Sequence, residues 1–255
     1  MEVVKKVGKM GVSFLKVLFQ FLVFLIQTTH NWFSPPYYPK VFLRNFIEIG
    51  FYSLPVVSLT ALFAGMVLAL QSYSGFSSFS AEGAVATVVE IAITRELGPV
   101  FAGLMVAGRV GATMAASIGT MKVTEQIDAL KTLSMNPFKY IISPRVLAGV
   151  LVMPLLVLVA DIIGIFGGFL VSVQELCFNP YVYIKDTYNS VKSIDAVIGI
   201  AKGATFGAII TSLGCYCGYY TEGGADGVGK ATTNAVVYSS ILILIFNYVL
   251  TALFF

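Results

Sequence analysis

Residues 146–173 read VLAGVLVMPLLVLVADIIGIFGGFLVSV, and Asp161 is the one ionisable side chain among them. A run of that length and character is a helix long enough to cross a bilayer core of about 30 Å. Comparable runs at about 50–72, 84–119, 194–218 and 233–255 bring the expected number of spans to five. Charged residues make up only 11% of the chain and hydrophobic ones 57%, whereas a soluble domain is about a quarter charged. The expected fold class is therefore an all-α polytopic membrane protein, because in lipid a helix satisfies its own backbone. A formal net charge of +3, with no cluster of basic and aromatic residues, argues against a nucleic-acid partner.

The apolar segment VLFQFLVFLIQTT near the N-terminus is short, and Lys5, Lys6, Lys9 and Lys16 precede it. No small-residue cleavage site follows. Lys40 and Arg44 flank its other side, so a true span would leave one basic group outside, against the positive-inside rule. The reading is an interfacial or re-entrant helix with a connector over residues 1–45, followed by a transmembrane domain over 46–255. With a cytoplasmic N-terminus, the 120–145 loop (Lys122, Lys131, Lys139, Arg145) and the 219–232 loop are cytoplasmic and the C-terminus is outside. The loop after the first span carries Glu82 and no Lys or Arg, which fits the outside.

Small residues recur every fourth position: Gly103, Ala107, Gly111, Ala115 and Gly119; Ala160, Gly164, Gly168 and Ser172; Gly199, Gly203 and Gly207. Such stripes are expected at helix interfaces, where they let backbones approach closely. Ionisable groups fall inside the spans at Arg95, Glu96, Arg109, Asp161 and Lys202. These are costly in lipid and need partners or a cavity. Asp161 and Lys202 are expected to form a structural ion pair, and Arg95 and Glu96 to border a polar cavity. Cys215 and Cys217 face different sides of one helix, Cys177 lies elsewhere, and His30 is the only histidine, so no metal site is expected.

The segment GGADGVGKAT (223–232) almost matches a phosphate-binding loop. It fails because Ala231 stands where a Ser or Thr would hold magnesium and no β-strand precedes it. A Gly-rich turn is the better reading. Within MKVTEQIDALKTLS (121–134), Val123, Ile127, Leu130 and Leu133 form one apolar stripe, while Thr124, Glu125, Asp128 and Lys131 gather opposite. Asn136-Pro137 ends it. This is a short amphipathic helix, either a plain interfacial loop helix or a docking element for a soluble partner.

The block RELGPVFAGLMVAGRVGATMAASIGTMKVTEQIDAL (95–130) resembles the hallmark of the MlaE/YrbE permease family, the membrane subunit of lipid-transporting ABC systems. FAGMVLALQ (63–71), PFKYIISPR (137–145) and GYYTEGGADGVGKATTNAVV (218–237) resemble further family segments in the same order, and the likeness covers roughly residues 45–255. It implies a homodimeric permease of the bacterial inner membrane, with an N-terminal interfacial helix and five spans per subunit. The partners implied are a cytoplasmic ATPase that holds ATP and magnesium, an MCE-domain periplasmic protein and a small cytoplasmic accessory subunit; the cargo is phospholipid. No cofactor is expected in this chain, nor any enzymatic chemistry.

The family's coupling helix maps onto Thr124, Glu125, Gln126, Asp128, Ala129 and Leu130, and its polar pair in the lipid pathway onto Arg95 and Glu96, with Arg109 deeper in the same helix. Asp161 and Lys202 are assigned structural roles. One departure is Ser117, where the family usually carries a glutamate. The rival readings are an ion-coupled secondary transporter and a non-transporting membrane scaffold.

Overall fold

The computed structural model describes residues 2–32, 35, 37–77 and 84–254, and side-chain surroundings from residue 15 onward. Among these residues there are helices and no strand. α1 is Glu2–His30, α2 Pro39–Ser77, α3 Val85–Val123, α4 Gln126–Thr132, α5 Phe138–Gln174, α6 Pro180–Ser190, α7 Ser193–Tyr219 and α8 Gly224–Phe254. α2, α3, α5, α7 and α8 are each long and apolar enough to cross a membrane.

Two boundaries correct the sequence reading. α2 begins at Pro39, eleven residues before the expected start at about 50, and a 3-10 turn at Phe51–Ser53 falls within the first turn of the expected span. α8 begins at Gly224, so most of the expected Gly-rich turn is helix, and only Gly223 and Gly224 take left-handed φ angles of 90° and 67°. A helical Gly224–Lys230 segment cannot wrap a phosphate as the lookalike motif would. α6, absent from the sequence reading, is a loop helix capped by Asn179, whose side chain accepts from the amides of Tyr181 and Val182. Glu82 lies outside the described residues.

All twelve stripe residues are buried, as the four-residue period requires. On α5, Gly164 and Gly167 receive the backbone of α2: a methyl group on Gly167 would strike the Leu62 carbonyl, and one on Gly65 the Gly164 carbonyl. On α7, Gly207 lies against the Gly149 carbonyl and Gly203 against Pro154. α5 thus sits between α2 and α7, while α3 packs on α7 and α8. The most apolar window of α7 is 56% buried and that of α8 only 11%, so α7 is central and α8 peripheral.

α1 docks through Phe24, which is fully buried among the rings of Phe138, Tyr216, Tyr219 and Tyr220. The Ser143 hydroxyl donates to the Thr28 carbonyl at 3.2 Å and ties the end of α1 to α5.

Candidate functional site

α3 continues through Gly98-Pro99 and widens into π-helical turns at Ile93–Leu97 and at Ala107–Gly111. A π turn adds a residue to the helical circuit and re-aims the side chains that follow, and such turns are frequent at functional positions. Here the first carries Arg95 and Glu96 and the second carries Arg109.

Arg95 and Glu96 point to different partners. The Arg95 guanidinium forks onto Asp195 at the start of α7, with Nη2 donating to Oδ2 and Nε facing Oδ1, both at 3.1 Å. Asp195 is 1% exposed. Glu96 turns toward α7 and α8. Its Oε1 receives Lys202 Nζ at 3.0 Å and the Thr251 hydroxyl at 2.7 Å, and its Oε2 receives the Asn247 amide at 2.7 Å. Lys202 also donates to the Arg95 carbonyl at 2.6 Å. That bond serves the backbone around the first π turn, where helical pairing is perturbed. Lys202 is wholly buried, whereas the Glu96 side chain is 35% exposed. The arrangement is a chain of charge-assisted hydrogen bonds that ties α3 to α7 and α8.

The expected Asp161–Lys202 pair does not form. Lys202 is already held by Glu96, Thr251 and the Arg95 carbonyl. Asp161 packs against Gly98, where a methyl group would strike its carboxylate, and a Cβ on Gly199 would sit 3.7 Å from its second oxygen. Two glycines make room for the carboxylate, and its Oδ1 is buried without a hydrogen-bond partner among the described residues. Glu90, also fully buried, accepts from Thr94 at 3.2 Å. No spacing or motif in the sequence marks Asn247, Thr251 or Glu90 as members of this cluster. The nearest signal was Asp195, a lone acid at the entrance of a span.

Arg109 belongs to a separate locale. Its Nη1 donates to the Ser53 hydroxyl at 2.7 Å, both Nη atoms lie 3.3 Å from the Glu48 carbonyl, and the guanidinium stands 5.8 Å from the Tyr52 ring centre. It braces the 3-10 turn of α2. Ser117 lies two turns further on and accepts from Arg145 Nη2 at 3.3 Å.

The 121–134 segment is not one helix. α3 ends at Val123, Glu125 adopts a left-handed φ of 59°, and α4 restarts at Gln126. The break changes the phase of the apolar stripe: Ile127 is fully buried and Leu130 half-buried, while Val123 and Leu133 are exposed. Thr124, Glu125, Gln126 and Ala129 are exposed. Asp128 bridges Lys122 at 3.1 Å and Lys131 at 2.8 Å, and those hydrogen bonds, Lys131's first, hold its carboxyl below the ordinary carboxylate value. The acidic face is thus partly neutralised from within.

Among the described residues no group of three His, Cys, Asp or Glu side chains is placed to hold a metal ion. Cys215 is buried, Cys217 half-buried and Cys177 exposed.

Five apolar spans tied together by ion pairs between α3 and α7 define a helical multi-pass membrane protein. The chain matches the family described as Permease MlaE over residues 42–253, and it belongs to that family. It is 53% identical over its whole length to a probable ABC transporter permease protein of Rickettsia felis, covering 98% of that protein. It is 38% identical to the intermembrane phospholipid transport system permease protein MlaE of Haemophilus influenzae, covering 81% of this chain and 80% of the relative. Protein TRIGALACTOSYLDIACYLGLYCEROL 1, chloroplastic, of Arabidopsis thaliana is 36% identical over 85% of this chain and 63% of the plant protein.

Proposed function

We propose that this chain is the permease subunit of an ABC transporter that moves phospholipids between the bacterial inner membrane and an MCE-domain periplasmic protein. Two copies form the permease, and a separate cytoplasmic ATPase supplies the energy. The Glu96 network is the lipid-side element and Glu125 with α4 the ATPase-side element. The N-terminus and α4 face the cytoplasm, the C-terminus faces the periplasm, and α1 lies in the cytoplasmic interface.

One observation carries this reading. α3 runs without interruption from Glu96 to Val123 and ends at the exposed turn that leads into α4. At 1.5 Å per residue, roughly 40 Å of helix links the two. A push on α4 is delivered along that rod to the residues that tie α3 to α7 and α8. Opening or closing that junction changes the exposed edge at Glu96, beside the least buried span, α8.

The test is reconstitution with the ATPase. Changing Glu125 and Asp128 together to Lys is expected to abolish ATPase association and lipid transfer while membrane insertion is kept. Normal assembly of that double variant would sink the docking assignment. Lipid transfer driven by an ion gradient without an ATPase would favour a secondary transporter, and absence of transfer by the intact complex would favour a scaffold.

A further inference from the structure

The α4 end of α3 carries a second polar locale that the ion-paired cluster does not explain. Arg145 on α5 donates through Nη2 to Ser117, but its Nη1 is buried and has no hydrogen-bond partner among the described residues. It borders a cavity of about 40 Å³ that is also lined by Asn45, Glu48, Arg109, Thr113 and Ser117. That is room for the centres of roughly three water-sized groups. Neither Arg109 nor Arg145 has a carboxylate within ion-pair distance among the described residues. A larger open groove shares Glu48 and Arg109 and adds Lys40, Arg44 and Tyr52. Four cations therefore face one carboxylate, Glu48. The exposed apolar side chains of Leu43, Ile47 and Phe51 lie beside them on α2.

The donor set favours one ligand chemistry. A guanidinium presents a planar fork that matches phosphate oxygens. The Ser117 hydroxyl accepts from Arg145 and keeps its own proton to donate. Arg109 is fixed in place by Ser53 and the Glu48 carbonyl, so its charge is preorganised at the cavity wall. We propose that Arg145, Ser117 and Arg109 form a binding site for a phosphate-bearing anion, distinct from the Arg95–Glu96 cluster. A phospholipid headgroup and free phosphate share that chemistry.

Full-length protein in nanodiscs of phosphatidylcholine with a minor share of phosphatidylglycerol gives the test, read by native mass spectrometry. Wild type is expected to retain phosphatidylglycerol preferentially. Ser117→Glu, which supplies an internal carboxylate to Arg145, and Arg145→Gln are each expected to weaken retention by roughly tenfold, the effect of losing one charge-assisted bond. Ser117 is exposed, so its variant adds a group without removing packing and carries the test if Arg145→Gln misfolds. In a parallel arm, detergent-solubilised protein is titrated with inorganic phosphate. Phosphatidylglycerol enrichment lost in Ser117→Glu, with no phosphate binding in detergent, assigns the site to a headgroup; phosphate binding lost in Ser117→Glu, without lipid enrichment, assigns it to the free anion. Retention of both probes unchanged in both variants overturns the proposal. The readout is independent of transport: wild type that fails lipid transfer yet loses bound anion on Ser117→Glu refutes the permease reading and leaves this site standing.

Discussion

Lys202 is fully buried in a membrane span and yet has a carboxylate, a hydroxyl and a carbonyl around its ammonium group. Removing one partner of such a pair leaves the other charge without compensation, whereas replacing both by apolar groups is often close to neutral. Lys202→Met is therefore expected to destabilise the fold by roughly 2–3 kcal/mol, below the 3–5 typical of a fully buried pair because Glu96 keeps some contact with its surroundings. Adding Glu96→Leu is expected to recover most of that loss while lipid transfer stays impaired. Thermal unfolding in detergent, combined with a transfer assay, separates the two effects; additive destabilisation in the double variant counts against the pairing. The same logic applies at Gly98, where a side chain would collide with Asp161. Gly98→Ala is expected to cost about 1–3 kcal/mol by overpacking, visible as a lowered melting temperature. These pairings were not legible in the sequence. Residue type and depth flagged Arg95, Glu96, Asp161 and Lys202, but the partners lie 100 or more positions away, and only the packing of α3 on α7 decides which charges meet.

At the level of elements, the readable features are those that repeat. The small-residue stripes on α3, α5 and α7 were legible because close helix contact demands a missing side chain at every turn. The break before α4 was not, since it rests on one backbone choice at Glu125 rather than on a pattern. The start of α8 is hidden in the sequence for a related reason. Glycines disfavour helix locally, but Gly227, Ala231 and Ala235 present a buried face that packing rewards. α4 itself is seven residues long and too short to be stable alone, so its tether matters. Asp128 supplies part of that tether through Lys122 on α3, while Lys131 braces it from within α4. Asp128→Asn is expected to speed amide exchange across residues 126–132 and leave α3 unchanged. The pH dependence follows from the sign of the shift. The Asp128 carboxyl is held below its ordinary value, so the tether is intact throughout the neutral range and is lost only as the pH falls through that lowered value. Exchange rates corrected for their intrinsic pH dependence check this, and a loss of protection near neutrality would contradict it.

For the whole molecule, the continuity of α3 is the property on which the proposed coupling rests. Its far end is fastened to α7 and α8 by Arg95 and Glu96, its middle braces α2 through Arg109, and its near end leads to α4. A rod with three such attachments transmits displacement only while it stays stiff. Thr120 is exposed one turn before the end of α3, so a proline there removes little packing but deletes a helical hydrogen bond and kinks the helix. Thr120→Pro is expected to leave the Glu96 network folded and the complex with its ATPase assembled. ATP hydrolysis should persist, while lipid transfer falls at least tenfold because motion at α4 no longer reaches Glu96. Parallel measurement of hydrolysis and transfer in proteoliposomes decides the matter. Transfer retained at the wild-type ratio to hydrolysis means that force passes through some other helix, and the role assigned to α3 fails.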